Sequence, residues 1–107
     1  MTESDFNNSA AATLDRIAQA LEESAAQCDC ELKDGGVLDI EFADGSRIIV
    51  NRHSAAREIW VAARSGGFHF RHDGANWVSA RDGSELFAAL SRFVSQQSGV
   101  AVILRSG

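Results

Sequence analysis

Two hydrophobic periods divide the chain. Phe6, Ala10, Leu14, Ile17 and Leu21 fall on one stripe about 80° wide at about 100° per residue, which predicts an amphipathic helix over about Ser4–Ser24. From Cys28 the period becomes two. Cys28, Cys30 and Leu32 alternate with Asp29, Glu31 and Lys33, and Leu38, Ile40 and Phe42 alternate with Asp39 and Glu41. Ile48 and Val50 continue the pattern against Arg47, Ile49 and Asn51, and further strands are predicted at Glu58–Ala62, Gly67–Arg71 and Asn76–Val78. Asp34-Gly35-Gly36, Asp44-Gly45, Ser65-Gly66-Gly67 and Asp73-Gly74 supply turn chemistry between them. Asp82-Gly83-Ser84-Glu85 reads as a capping box, with Asp82 as N-cap and Glu85 three residues on. Leu86, Phe87, Leu90, Phe93 and Val94 form the stripe of a second helix that Gly99 ends. The apolar tail 100–104 is expected to pack beside that helix.

Strands this close in sequence, alternating apolar and polar, form an antiparallel meander with one face packed and one face wet. The expected class is therefore α+β: a two-layer α-β sandwich, two helices on one face of an antiparallel sheet of about 5–7 strands. With 107 residues there is room for one domain with one core, spanning 1–107. No apolar run approaches the roughly 20 residues that cross a bilayer. The acidic, polar start of the chain fits neither a secretory signal nor a transit peptide, so a cytoplasmic setting without membrane attachment is expected. Cys28 and Cys30 share one strand face. Their spacing disfavours a disulfide and falls short of a zinc site, so both read as small buried residues.

Charge changes the picture more than composition does. The net charge is −5, but residues 1–44 hold eleven Asp or Glu against Arg16 and Lys33, a net of −9. Residues 45–107 hold four acids against eight arginines, a net of +4. The acidic balance argues against nucleic acid as a partner and for cations or a basic protein surface. Asp15 and Glu22 lie opposite the apolar stripe of the first helix, Glu23 lies beside Glu22, and Asp29 and Glu31 line the outward side of the next strand. With that strand against the helix edge, these acids form one exposed band of oxygen donors. Such donors suit hard cations (Fe³⁺, and also Fe²⁺, Mn²⁺, Ca²⁺ or Mg²⁺), held weakly because nothing encloses the ion.

Two further features concern chemistry. In Glu58-Ile59-Trp60-Val61, Ile59 and Val61 share the core phase, which turns Trp60 to the open face with Asn51, Arg52, Arg47 and His69 as expected neighbours. An outward Trp among arginines and amides has the makeup of a partner-binding hot spot. His53, His69 and His72 are scattered and read as surface histidines, with His69 and His72 at different strand phases. Phosphate loops, dinucleotide fingerprints, nucleophile elbows and H-E-x-x-H pairs do not occur.

Gly35-Gly36-Val37-Leu38, Phe42-Ala43-Asp44-Gly45-Ser46, Ile48-Ile49-Val50-Asn51-Arg52, Ile59-Trp60-Val61-Ala62 and Ser65-Gly66-Gly67-Phe68-His69-Phe70 resemble the bacterial frataxin family in order and spacing. Trp77, the Asp82-Gly83 helix start and Ser95-Gln96-Gln97 extend the likeness over nearly the whole chain. The resemblance implies an α-β sandwich that binds iron, as Fe²⁺ or Fe³⁺, and acts in iron–sulfur cluster assembly. It also implies contact with the cysteine desulfurase and the scaffold machinery, as a regulator and a monomer rather than an enzyme. Carried over by position, the family's iron surface is Glu22, Glu23, Asp29 and Glu31, to which the helix pattern adds Asp15. Its exposed sheet surface corresponds to Asn51 and Trp60. Asn7, Ala11, Ala18 and Gln19 stand where bacterial relatives often place His or acids, so the ridge is thinner than usual and argues against mineral storage. The alternatives are a ferroxidase, which asks for carboxylates and histidine around two irons, and a pure protein-interaction module.

Overall fold

Residues 1–106 are described by a computed structural model, in the order α1 (Glu3–Glu23), β1 (Cys28–Lys33), β2 (Val37–Phe42), β3 (Arg47–His53), β4 (Glu58–Ala63), β5 (Gly66–His72), β6 (Trp77–Ser79) and α2 (Leu86–Ser98). The six strands form one sheet in sequence order, each antiparallel to the next, as the tight turns predict. Strand bounds differ from the sequence reading by a residue at most ends.

The α1 stripe is buried as read, and Ala20 joins it. The helix begins earlier than Ser4 because Thr2 caps it. Its Oγ1 accepts the Asp5 backbone N–H at 3.0 Å, and the Asp5 carboxylate accepts the Thr2 N–H at 3.3 Å. The start of α2 corrects the sequence reading. Glu85, not Asp82, is its N-cap, and its carboxylate accepts the N–H groups of Phe87 at 2.7 Å and Ala88 at 3.1 Å. Asp82 instead closes a turn by accepting the Ser84 N–H at 2.9 Å. A bridge pairs Val78 with Glu85, and Gly83 sits at φ +75°, left-handed backbone that a helix cannot continue through. Tertiary pairing thus holds residues 79–85 out of the helix.

Both helices pack on one face of the sheet. Leu38, Ile40, Ile48, Val50, Ile59, Val61 and Phe70 meet Phe6, Leu14, Ile17, Leu86, Leu90 and Val94 in one core. Trp77 completes it at 5% exposed, edge-on to Phe6 with centroids 5.8 Å apart, its indole N–H donated to Thr13 Oγ1 at 3.1 Å. Gln97 is buried as well. It accepts the Arg64 N–H at 3.0 Å and donates to Ser46 Oγ and the Arg47 carbonyl, tying the end of α2 to two hairpin turns. The tail packs along α2 as expected. Val102 N–H donates to Ser95 Oγ, Leu104 N–H to Ser91 Oγ, and Leu104 is buried. Gly36 carries a close approach: a Cβ there would lie 2.9 Å from Arg52 Nε, at φ +77°.

Candidate functional site

β1 is an edge strand, so its side chains mark the boundary between the sheet's two faces. Cys28 and Cys30 turn to the helix side, half-buried against the core, as the strand phase predicts. Burial, then the Cys28 thiol and Glu22, push the Cys30 thiol up to about 11. Asp29 and Glu31 turn the other way, directly opposite Glu41 and Asp39 of β2. Asp15, Glu22 and Glu23 are exposed on α1, the last two in its final turn, where basic residues are absent. The five acids are therefore divided: Asp15 lies mid-helix, Glu22 and Glu23 lie in the last turn of α1, and Asp29 and Glu31 lie on the open face of β1.

Pairing distinguishes these acids. Asp39 is 7% exposed and accepts from Lys33 Nζ at 3.1 Å and Arg47 Nη1 at 2.8 Å, all through Oδ2. Arg47 also reaches Glu41 at 3.4 Å. Glu23 meets Arg16 at 3.4 Å. Among the described residues, Asp15, Glu22, Asp29 and Glu31 have no cation within ion-pair distance. Nor do those residues include a group of three or more His, Cys, Asp or Glu arranged to hold one metal ion. The edge thus offers separated oxygen donors rather than a cage, and such donors hold a hydrated hard cation loosely or meet a basic surface at long range.

The second surface lies on the open face. Trp60 points there, in register with Asn51 on β3 and His69 on β5. Its ring is sandwiched: His53 lies at 3.8 Å between centroids and 10° between planes, His69 at 4.4 Å and 8°. Its indole N–H donates to Glu58 Oε1 at 2.8 Å. Arg71 Nε donates to the other Glu58 oxygen at 3.0 Å. The Trp60 N–H and then Arg71 hold the Glu58 carboxyl below the usual carboxylate range. The sequence reading places Trp60, Asn51 and His69 together, as found. Two expected neighbours are corrected. Arg52 pairs with buried Ile59 and so belongs to the helix-side phase of β3, beside Gly36. Arg47 shares the open face but is spent on Asp39 and Glu41, toward β2. The histidines are also corrected: His53 and His69 are not scattered but stacked on one indole. Strand parity alone would have put His53, Trp60 and His69 on one face, had β3, β4 and β5 been aligned through their turns.

The fold and these two surfaces define a frataxin-type α-β sandwich. A frataxin-like domain model matches residues 1–100, and the chain belongs to the frataxin family. It is 60% identical over 105 residues to a protein named iron-sulfur cluster assembly protein CyaY from Dechloromonas aromatica, covering 98% of this chain and 100% of that one. A protein of the same name from Herminiimonas arsenicoxydans is 54% identical, covering 98% and 97%. Among solved structures, the frataxin of Psychromonas ingrahamii superposes with a TM-score of 0.88 at 27% identity, over 100% of this chain and 99% of that one. A trimeric frataxin of Saccharomyces cerevisiae complexed with ferrous iron gives 0.68 at 27% identity, over 92% and 88%.

Proposed function

We propose that this protein is a non-enzymatic accessory of iron–sulfur cluster assembly, acting in the cytoplasm as a single-domain monomer. It binds Fe²⁺ or Fe³⁺ weakly at the β1 edge and docks the cysteine desulfurase and its scaffold machinery. The observation that carries this reading is the unpaired acids: Glu22, Asp29 and Glu31 stay free of cations while neighbouring Asp39 and Glu41 are neutralised. The relatives' shared name and the ferrous complex of a yeast frataxin support it. Free carboxylates on an exposed edge replace a few waters of a hard cation without enclosing it, so the ion is held loosely and released readily. The same charges attract a basic protein patch, so ion and partner compete for them. Asn51 and Trp60 provide a second contact on the open face. No helix of the described residues is long and apolar enough to cross a membrane.

A ferroxidase would need histidine beside these carboxylates. The three histidines instead stack on Trp60 or meet Trp77 edge-on. Charge reversal of Glu22, Glu23, Asp29 and Glu31 to lysine tests the reading. The variant is expected to keep its circular dichroism and to lose on the order of tenfold affinity for both Fe²⁺ and the desulfurase at low salt. Unchanged affinity for both would remove the assignment. Loss of iron alone would leave an ion-binding protein whose desulfurase contact lies elsewhere.

A further inference from the structure

The environment of Trp60 is asymmetric in a way that involves protons. His53 Nδ1 accepts the Ala56 N–H at 3.2 Å, so a proton placed there breaks a turn contact. His69 Nδ1 faces Glu58 Oε1 at 3.6 Å, so a proton placed there completes an ion pair. A charged His69 ring would also lie parallel to the indole at 4.4 Å, inside the range of about 6 Å over which a cation is attracted to a π face. Imidazole is the side chain that changes charge between about pH 5 and 8.

The charges around the stack are few. Glu58, on β4, is the acid of this patch, and both its oxygens are engaged, by Trp60 and Arg71. Arg71, on β5, balances it. From the β6 side Arg81 reaches the Gly67 carbonyl at 3.3 Å. From β3 come His53 and the neutral Asn51. With His69 neutral, Glu58 and Arg71 cancel and Arg81 is the one uncancelled charge. With His69 charged, the patch gains a second positive charge against the indole face, the complement of an acidic segment.

We propose that His69 makes the Trp60 face a proton-responsive docking site, which takes an acidic segment of a partner protein more tightly when its imidazole is charged. This rests on the reading of Trp60 as a partner contact and is independent of the acidic edge.

Two arms test it. Trp77→Phe leaves Trp60 as the chain's sole indole, and a charged imidazole stacked on an indole quenches its emission. Emission is compared at pH 6.0 and pH 7.5 in the added background of His53→Gln, which removes the other stacked imidazole, and is expected to be higher at pH 7.5, with the difference abolished by His69→Gln. A flat profile, or a rise that survives His69→Gln, overturns the proposal without any partner present. In the second arm, affinity for the desulfurase and for the scaffold protein is measured at both pH values by biolayer interferometry. At least one is expected to bind the native chain threefold or more tightly at pH 6.0, and His69→Gln is expected to remove that ratio. Because the partner also titrates, an equal ratio in both chains overturns the proposal. Trp60→Ala binding as well as the native chain would instead overturn the docking reading beneath it. Sedimentation velocity decides the occupant: association with a second copy at pH 6.0, lost in His69→Gln, would overturn the partner assignment in favour of the chain's own acidic half.

Discussion

At the β1 edge Asp29 and Glu31 stand with no cation beside them, whereas around Trp60 each group holds another. Glu58 takes the indole N–H on one oxygen and Arg71 on the other, and two imidazoles cover the ring faces. In the function we propose, the edge acts through charge, at a distance, and its residues contribute nearly independently. The Trp60 face there acts through shape and short contacts, so its residues contribute as a unit. One sheet therefore carries two kinds of surface in this proposal: one whose binding salt weakens throughout, and one whose aromatic contact salt barely touches while His69 is neutral.

The largest effect that would sharpen this contrast comes from Trp60→Ala. Central aromatic anchors carry about 2 kcal/mol or more of interface energy, so partner affinity is expected to fall about 30-fold. The loss should persist at high salt, unlike that of the four-site charge reversal. Titrating the partner at low and high ionic strength separates the two. A Trp60→Ala loss that salt erases would place Trp60 in the same electrostatic surface as the edge.

Glu58→Gln breaks the stack more gently. The glutamine keeps an acceptor for the indole but gives up the charge facing Arg71 and His69. The folded-state pKa of Glu58 lies below its ordinary value of 4.5, so the charge stabilises the fold above that pH and ceases to do so as pH falls through the folded value. The variant is expected to be less stable than the native chain by about 0.5 kcal/mol at pH 7 and equal to it in strong acid. Urea unfolding at pH 7 and at pH 2 checks this, and a gap that persists in acid would assign the loss to packing.

Much of this was readable from spacing, and the failures have physical causes. Periods of 3.6 and 2 place the helices, six strands and the outward turn of Trp60. The start of α2 departs from its local signal because Asp82-Gly83-Ser84-Glu85 satisfies a capping rule that the Val78–Glu85 bridge overrides. Arg52 lies on the helix side because it shares the phase of Val50, a parity that its charge masks. The histidine stack depends on the mutual register of three strands, which no single segment encodes. The burial of Asp39 was hidden for a similar reason. It has an outward phase and a charge, and it is covered by Lys33 and Arg47 approaching from neighbouring strands.

Asp39 and Glu41 also supply the smallest and most selective test, since they distinguish acids that are present from acids that are available. Glu31 and Glu41 both lie on the open-face side of adjacent strands, two residues out of register, and differ mainly in that Arg47 reaches only Glu41. Removing a free carboxylate from a site of a few exposed oxygens is expected to weaken Fe²⁺ binding about two- to threefold. Removing one whose charge is already cancelled should change it less than about 1.5-fold. Anaerobic calorimetry of Glu31→Gln and Glu41→Gln, side by side, measures that difference. Equal losses would mean the ion displaces Arg47 from Glu41, and the binding surface would then extend inward from the edge onto β2.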